Sequence, residues 1–296
     1  MRILIIGASG FIGKNIINSY KNNNSKEKIL GTFNTNIIKN KKFLKNINFI
    51  KLNYFQKNYQ INKIIKFDPN VIIFSGWNSI PDFSKKKSMD NYNFASNLFK
   101  KLFKIKSLKK VIALGSCYEL ATDIKTKHFI KSKINLKNIL SKRSEIKGIS
   151  FFWLRIFYVY GPYQSPKSLI PSLYKNFISK KELILKNPNL AHDFIFIDDV
   201  IKKIKFIIKN EKLKSGVYNI GTSKLTKVKD IAYLVKLILL NKLKKKQPNI
   251  SNKKFRGLIA KPPFINNNNK FTEISIGISK TLKYLKKIND NNKNTI

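Results

Sequence analysis

One run of residues constrains this chain more than any other. The apolar stretch MRILII leads straight into GASGFIG, Gly7 to Gly13, and then into the helix-forming GKNIINSYKN. A GxxGxxG pattern is informative when it lies between a strand and a helix. Gly7 predicts a sharp turn, Gly10 lets the backbone approach a pyrophosphate, and Gly13 permits close packing of the helix on a sheet. The helix N-terminus would then face the negative charge. The competing reading is an ordinary loop, so the rest of the chain has to decide.

Beyond this run the chain alternates between two kinds of segment. MRILII, KILGTF, INFIKL, NVIIFSG, KVIALGS and FFWLRIFYVYG read as buried strands. Between them, GKNIINSYKN, INKIIKF, NYNFASNLFKKLFKIKSL and a stretch over Ser132–Ser141 read as helices. Such alternation implies βαβ units and a parallel sheet. Right-handed crossovers set the strand ends bearing GASG, FSGW and ALGS along one edge, where doubly wound sheets bind ligands. The fold class expected is therefore α/β, a Rossmann doubly wound parallel sheet, with dinucleotide binding at GASGFIG. After Tyr160 the texture changes. GPYQSPKSLIP is a loop leading away from the sheet, and a smaller C-terminal α/β lobe follows, with helices over SLIPSLYKNFISK and LTKVKDIAYLVKLILLNKLKK. The dinucleotide-binding domain is expected over 1–162, with parts of 190–222 returning to it. The substrate lobe covers mainly 163–288, and 289–296 is expected to fray.

Charge tempts toward another reading. The formal net charge is +45 over 296 residues. Yet the positive charge is almost all lysine, with arginine only at positions 2, 143, 155 and 256. Nucleic-acid readers favour the planar arginine fork. The lysines are spread among Asn and Ile, residues that share A/T-rich codons, so a biased genome accounts for them. The field would still draw anionic substrates toward a cleft. The lone Cys117 excludes an internal disulfide framework and fits a reducing cytoplasm. The first apolar run reads as a strand and not a signal peptide, and no stretch approaches the ~20 apolar residues of a spanning helix.

Taken in order, GASGFIG, FSGW, DNYNFASNL, ALGSCYEL, LRIFYVYGP and HDFIFIDDV resemble the NAD-dependent epimerase/dehydratase family. These are extended short-chain dehydrogenases that act on nucleotide sugars. The resemblance implies a cofactor turn at Gly7, Ser9, Gly10, Phe11, Ile12 and Gly13. Ser75 and Gly76 would skirt the cofactor, with Trp77 on the substrate side. Asn53 stands where an acidic residue usually meets the adenine, and Asn93 where a helix asparagine is expected. Ser116 would hydrogen-bond the reacting sugar oxygen, and Lys133 would hold the nicotinamide ribose. Asp193, Asp198 and Asp199 would cap a helix and order the lobes rather than do chemistry. The partner implied is a nucleotide sugar; a homodimer stays open, and no specific nucleic acid, membrane span or metal is expected.

Three departures stand out. The family's Tyr-x-x-x-Lys is Phe129-Ile-Lys-Ser-Lys133 here, so the phenol that moves the substrate proton is missing; such a loss costs ~10²–10⁴ in rate. Tyr118 and His128 are possible stand-ins, each with a bland alternative, a packed aromatic and an exposed helix-start residue. The second strand ends in Phe33-Asn34 without the usual carboxylate. With Lys39, Lys41 and Lys42 nearby, NAD and NADP both stay open. Tyr158 replaces a substrate-side asparagine and His192 an arginine. Arg256 is set against the substrate diphosphate or simply at the surface. Two functions remain: an NAD(P)-dependent nucleotide-sugar epimerase, dehydratase or reductase of surface-polysaccharide synthesis, or a catalytically impaired NAD(P)-binding protein of the same fold.

Overall fold

The computed structural model describes residues 1–21, 26–34, 46–52, 60–121, 124–182, 184–241, 257–264 and 270–293. Asn53, Arg256, Lys39, Lys41 and Lys42 lie outside these. By contacts the chain divides into two units, Met1–Ile156 with Ile204–Tyr218, and Phe157–Lys203 with Asn219–Ile296.

In the first unit, strands β1 (Arg2–Ile6), β2 (Lys28–Phe33), β3 (Ile47–Lys51), β4 (Val71–Phe74), β5 (Lys110–Ser116) and β6 (Ser150–Ile156) alternate with helices α1 (Phe11–Asn18), α2 (Ile61–Phe67), α3 (Lys85–Leu102) and α4 (Lys127–Ile146). The sheet has seven strands in the order β10-β6-β5-β4-β1-β2-β3, where β10 is Gly216–Ile220. β1 to β6 pair in parallel throughout. This is the doubly wound order expected from the alternation, with its switch point between β1 and β4. Ile3, Leu4, Ile5 and Ile6 are all fully buried, as a parallel strand covered on both faces requires. Burying each such side chain contributes about 1.5–3 kcal/mol. On one face Leu4, Ile72, Phe94, Leu98, Phe99 and Leu136 share a core.

The Lys110 ammonium is buried and donates to the carbonyls of Ile207, Ile208 and Asn210 at 2.6, 3.1 and 3.0 Å. It thereby satisfies the last carbonyls of α6 (Ile197–Lys209), where a cation also suits the helix dipole.

The second unit holds two short ribbons. β7 (Tyr158–Tyr160) pairs in parallel with β9 (Phe194–Phe196), and β8 (Ala191–His192) antiparallel with β11 (Thr226–Lys227). Helices α5 (Leu169–Ile178), α7 (Val228–Leu239) and α8 (Ile274–Lys293) pack on one another. Asp193 is fully buried and ties the unit together: its carboxylate accepts from Thr222 N–H (2.7 Å), Thr222 Oγ1 (2.6 Å), Ser223 N–H (3.0 Å) and Ala260 N–H (3.1 Å). Asp199, in the first turn of α6, accepts from Thr272 N–H and Oγ1 at 2.8 and 3.0 Å.

Several expectations need correcting. FFWLRIFYVYG is not one strand: it breaks at Phe157, whose N–H turns to the Ile220 carbonyl (3.0 Å). The contact division falls there too, with 204–218 grouped in the first unit. α4 begins before Ser132, and α8 runs through 289–293, while 294–296 lie outside the described residues.

Candidate active site

Register sets the site. Ile6 pairs with Phe74 and Phe74 with Ala113, so β1, β4 and β5 end side by side, and Gly7, Ser75 and Leu114 follow at one level. Gly7 has φ +85°, and a Cβ there would lie 2.7 Å from the Gly76 Cα. Gly13 is tighter still, since its Cβ would meet the Gly7 carbonyl at 2.1 Å. The turn closes with Gly10 N–H to the Gly7 carbonyl at 3.0 Å. Thr32 braces it from β2: its Oγ1 accepts from Gly7 N–H (3.1 Å) and its carbonyl from Ala8 N–H (2.9 Å). Ser75 Oγ donates to the Ile6 carbonyl at 2.9 Å, so it clamps the end of β1.

Helix α1 starts without a side-chain cap at Gly10 and without acidic residues in its first turn. Its opening amides, at Phe11 and Ile12, are therefore free to face an anion. Half-buried Ser9 and exposed Gly10 border them. Asn34, half-buried, follows β2. The amides and the tight glycines fit a dinucleotide diphosphate. The missing carboxylate at Asn34 leaves the 2′ position of an adenosine ribose open to a hydroxyl or a phosphate.

At the end of β5 the residues Cys117–Leu120 wind into a 3₁₀ turn capped by Ser116, whose Oγ accepts from Tyr118 N–H at 3.2 Å. Glu119 folds back beneath it. Its side chain is fully buried and accepts from Ser116 N–H (2.8 Å), the Trp153 indole N–H (2.9 Å) and Arg155 Nε (3.2 Å). Gly115 makes this possible, because a Cβ there would sit 2.2 Å from Trp153 Nε1. Glu119 is thus an organiser of Ser116, a role invisible in the sequence because Trp153 and Arg155 lie on β6.

Lys133 and Phe129 project from α4 and are both buried, 4% and 2% exposed. The Lys133 ammonium donates to the Leu114 carbonyl at 2.8 Å and sits 4.2 Å over the Trp77 ring. Burial lowers its pKa to about 7, with Glu119 pulling the other way. Phe129 packs against Phe83 (4.9 Å between centroids), Trp77 (5.6 Å) and Tyr118 (6.4 Å). Trp77, assigned to substrate by sequence, is half-buried against Lys133 and Phe129. Tyr118 is half-buried with its ring on Phe83 and Phe129, and His128 is half-buried at the start of α4.

The two asparagines of α3 have different surroundings. Asn93 is exposed, whereas Asn91, 3% exposed, accepts from Asn78 N–H (2.6 Å) and donates to the Asn78 carbonyl (3.1 Å). It fixes the loop after β4. In the second unit, Tyr158 stacks on His192 at 3.7 Å between centroids, and burial pushes the imidazole pKa down to about 4.

Residues 3–221 match the model of the NAD dependent epimerase/dehydratase family. The chain belongs to that family. This member is 26% identical, over 79% of its length and 80% of the relative's, to an ADP-L-glycero-D-manno-heptose-6-epimerase of Brachyspira hyodysenteriae. Among solved structures it is similar to a tyrosine-to-phenylalanine mutant of UDP-glucuronic acid 4-epimerase from Bacillus cereus, in complex with a fluorinated UDP-sugar and NAD. That match has a TM-score of 0.77 at 20% identity and covers 97% of this chain and 100% of the other. A dTDP-glucose 4,6-dehydratase of Bacillus anthracis in complex with NAD gives 0.75 at 20% identity, covering 98% of each. At such identities the structural likeness establishes the fold of this family member.

Proposed function

We propose that this protein is an NAD(P)-dependent nucleotide-sugar epimerase or dehydratase, or a reductase of the same kind, serving surface-polysaccharide synthesis in the cytoplasm. The observation that carries the reading is the shared sheet edge, where the uncapped start of α1, Ser116 and Lys133 follow neighbouring strands. A nicotinamide nucleotide bound there supplies the hydride acceptor and donor. The chain's own residues do the rest. The amides of Phe11 and Ile12 hold the diphosphate. Ser116 accepts from Tyr118 N–H, which leaves its own proton to donate to a sugar oxygen. Trp77, Phe83 and Phe129 form an apolar wall that keeps water from the reacting atoms.

Phe129 favours a second reading, an NAD(P)-binding protein with impaired catalysis, since its ring is buried and carries no proton. Calorimetry with NAD and NADP, oxidised and reduced, tests the first claim; no saturable heat at millimolar nucleotide overturns both readings. Turnover of a panel of UDP-, GDP-, CDP-, dTDP- and ADP-sugars separates them. The enzyme reading expects wild-type conversion of at least one. Conversion only after Phe129→Tyr supports impairment.

A further inference from the structure

We propose that Lys133 itself carries the proton exchanged with the sugar hydroxyl, in place of the phenol that Phe129 lacks. This rests on the nucleotide-sugar reading above. The buried ammonium makes one hydrogen bond, to the Leu114 carbonyl, two residues before Ser116 on β5. Three rings lie around it, Trp77 at 4.2 Å, Phe129 at 5.8 Å and Trp153 at 5.9 Å from the nitrogen. Aromatic faces hold a cation loosely compared with a carboxylate.

The neighbouring groups are otherwise committed. Glu119, from the turn after β5, is taken up by Ser116 N–H, Trp153 and Arg155. Arg155, from β6, is held on that same carboxylate at 3.2 Å. The residues α3 buries are Ser88, Asn91, Phe94, Ala95, Leu98, Phe99 and Leu102, none of which titrates. On α4 itself, His128 adjoins Phe129 and so points about 100° away from it. Tyr118 turns its ring edge onto Phe83. Lys133 is left as the buried group able to exist as amine and ammonium at neutral pH.

The step balances. In the oxidising direction the neutral amine takes the hydroxyl proton as the O–H bond breaks. A nicotinamide nucleotide bound at this edge would supply the acceptor for the hydride, so the hydroxyl carbon would be left as a ketone beside the Lys133 ammonium. The reverse direction returns each.

Trp77 and Trp153 are the chain's two tryptophans, so indole emission reports the charge beside them. Emission of the ligand-free protein is expected to titrate with a midpoint of about 7, and this transition vanishes in Lys133→Met. A flat wild-type trace from pH ~5 to ~9, a window spanning ordinary His but not ordinary Lys titration, overturns the proposal. With a sugar that the wild type converts, Lys133→Met is expected to lose ~10²–10⁴-fold in kcat. Activity in the oxidising direction should fall as pH drops below the same midpoint. Adding Phe129→Tyr to Lys133→Met should restore turnover, because a phenol replaces a proton carrier and not a cation that only holds a ribose. If Lys133→Met folds poorly by circular dichroism, Lys133→Arg keeps the charge without a usable proton and is expected to show the same loss. Full turnover in either variant, or turnover lost instead in Tyr118→Phe, overturns the assignment while the function stands. Absence of nicotinamide nucleotide binding by calorimetry defeats the function, and this step with it.

Discussion

Glu119 shows how much of the site hangs on one side chain. Three donors converge on a carboxylate with no access to solvent. In Glu119→Gln one oxygen becomes a donor that must face another N–H, and Arg155 loses its counter-charge. The expected destabilisation is about 2–4 kcal/mol, read from urea unfolding; a change within ~0.5 kcal/mol, the usual surface value, would contradict the role given to it. Legibility at this scale was uneven. Gly7 is read from the spacing of the glycine turn, while Ser116, Phe129 and Lys133 are named only through the family resemblance. The role of Glu119 could not be read, since its partners are distant in sequence. Asn91 and Asn93 both sit in DNYNFASNL, and two positions on a helix differ by about 200° in direction. That rotation puts one into the core and the other into water.

Elements were easier to read than residues wherever an apolar run was bounded. The first five strands stand between polar or glycine-bearing segments and were found at nearly their observed limits. FFWLRIFYVYG has no such internal mark. Its division at Phe157 is made by a tertiary hydrogen bond to Ile220, which periodicity cannot express. Helix α8 went unread because Lys and Asn fill its exposed face and follow a run of Pro and Asn. The first turn of α1 leaves little room against the strand it follows. In Gly13→Ala the new methyl meets the Gly7 carbonyl at 2.1 Å, so the helix must move off the strand. We expect a loss of about 1–3 kcal/mol in stability by denaturant unfolding. Nicotinamide nucleotide affinity should also fall at least tenfold by calorimetry, ~1.4 kcal/mol. Unchanged affinity would mean that the start of α1 does not hold the diphosphate.

For the whole molecule the dominant quantity is charge. With 60 Lys and Arg against 15 Asp and Glu, the folded chain repels itself, and screening should relieve this. Raising NaCl from ~0.05 to ~0.5 M shortens the screening length from about 14 to about 4 Å. Thermal unfolding should shift upward by several degrees, ~1–2 kcal/mol of relief. A melting temperature that ignores salt would place the repulsion equally in the unfolded chain. Three of the fifteen carboxylates, Asp193, Asp199 and Glu119, are moreover sealed from solvent. Their negative charge neutralises internal donors and does little for the exterior, where the lysines outnumber the remaining carboxylates. Such a surface behaves as an anion exchanger, so phosphate or sulfate in a buffer would compete for the very amides that a diphosphate needs, and an affinity measured in them would be an underestimate.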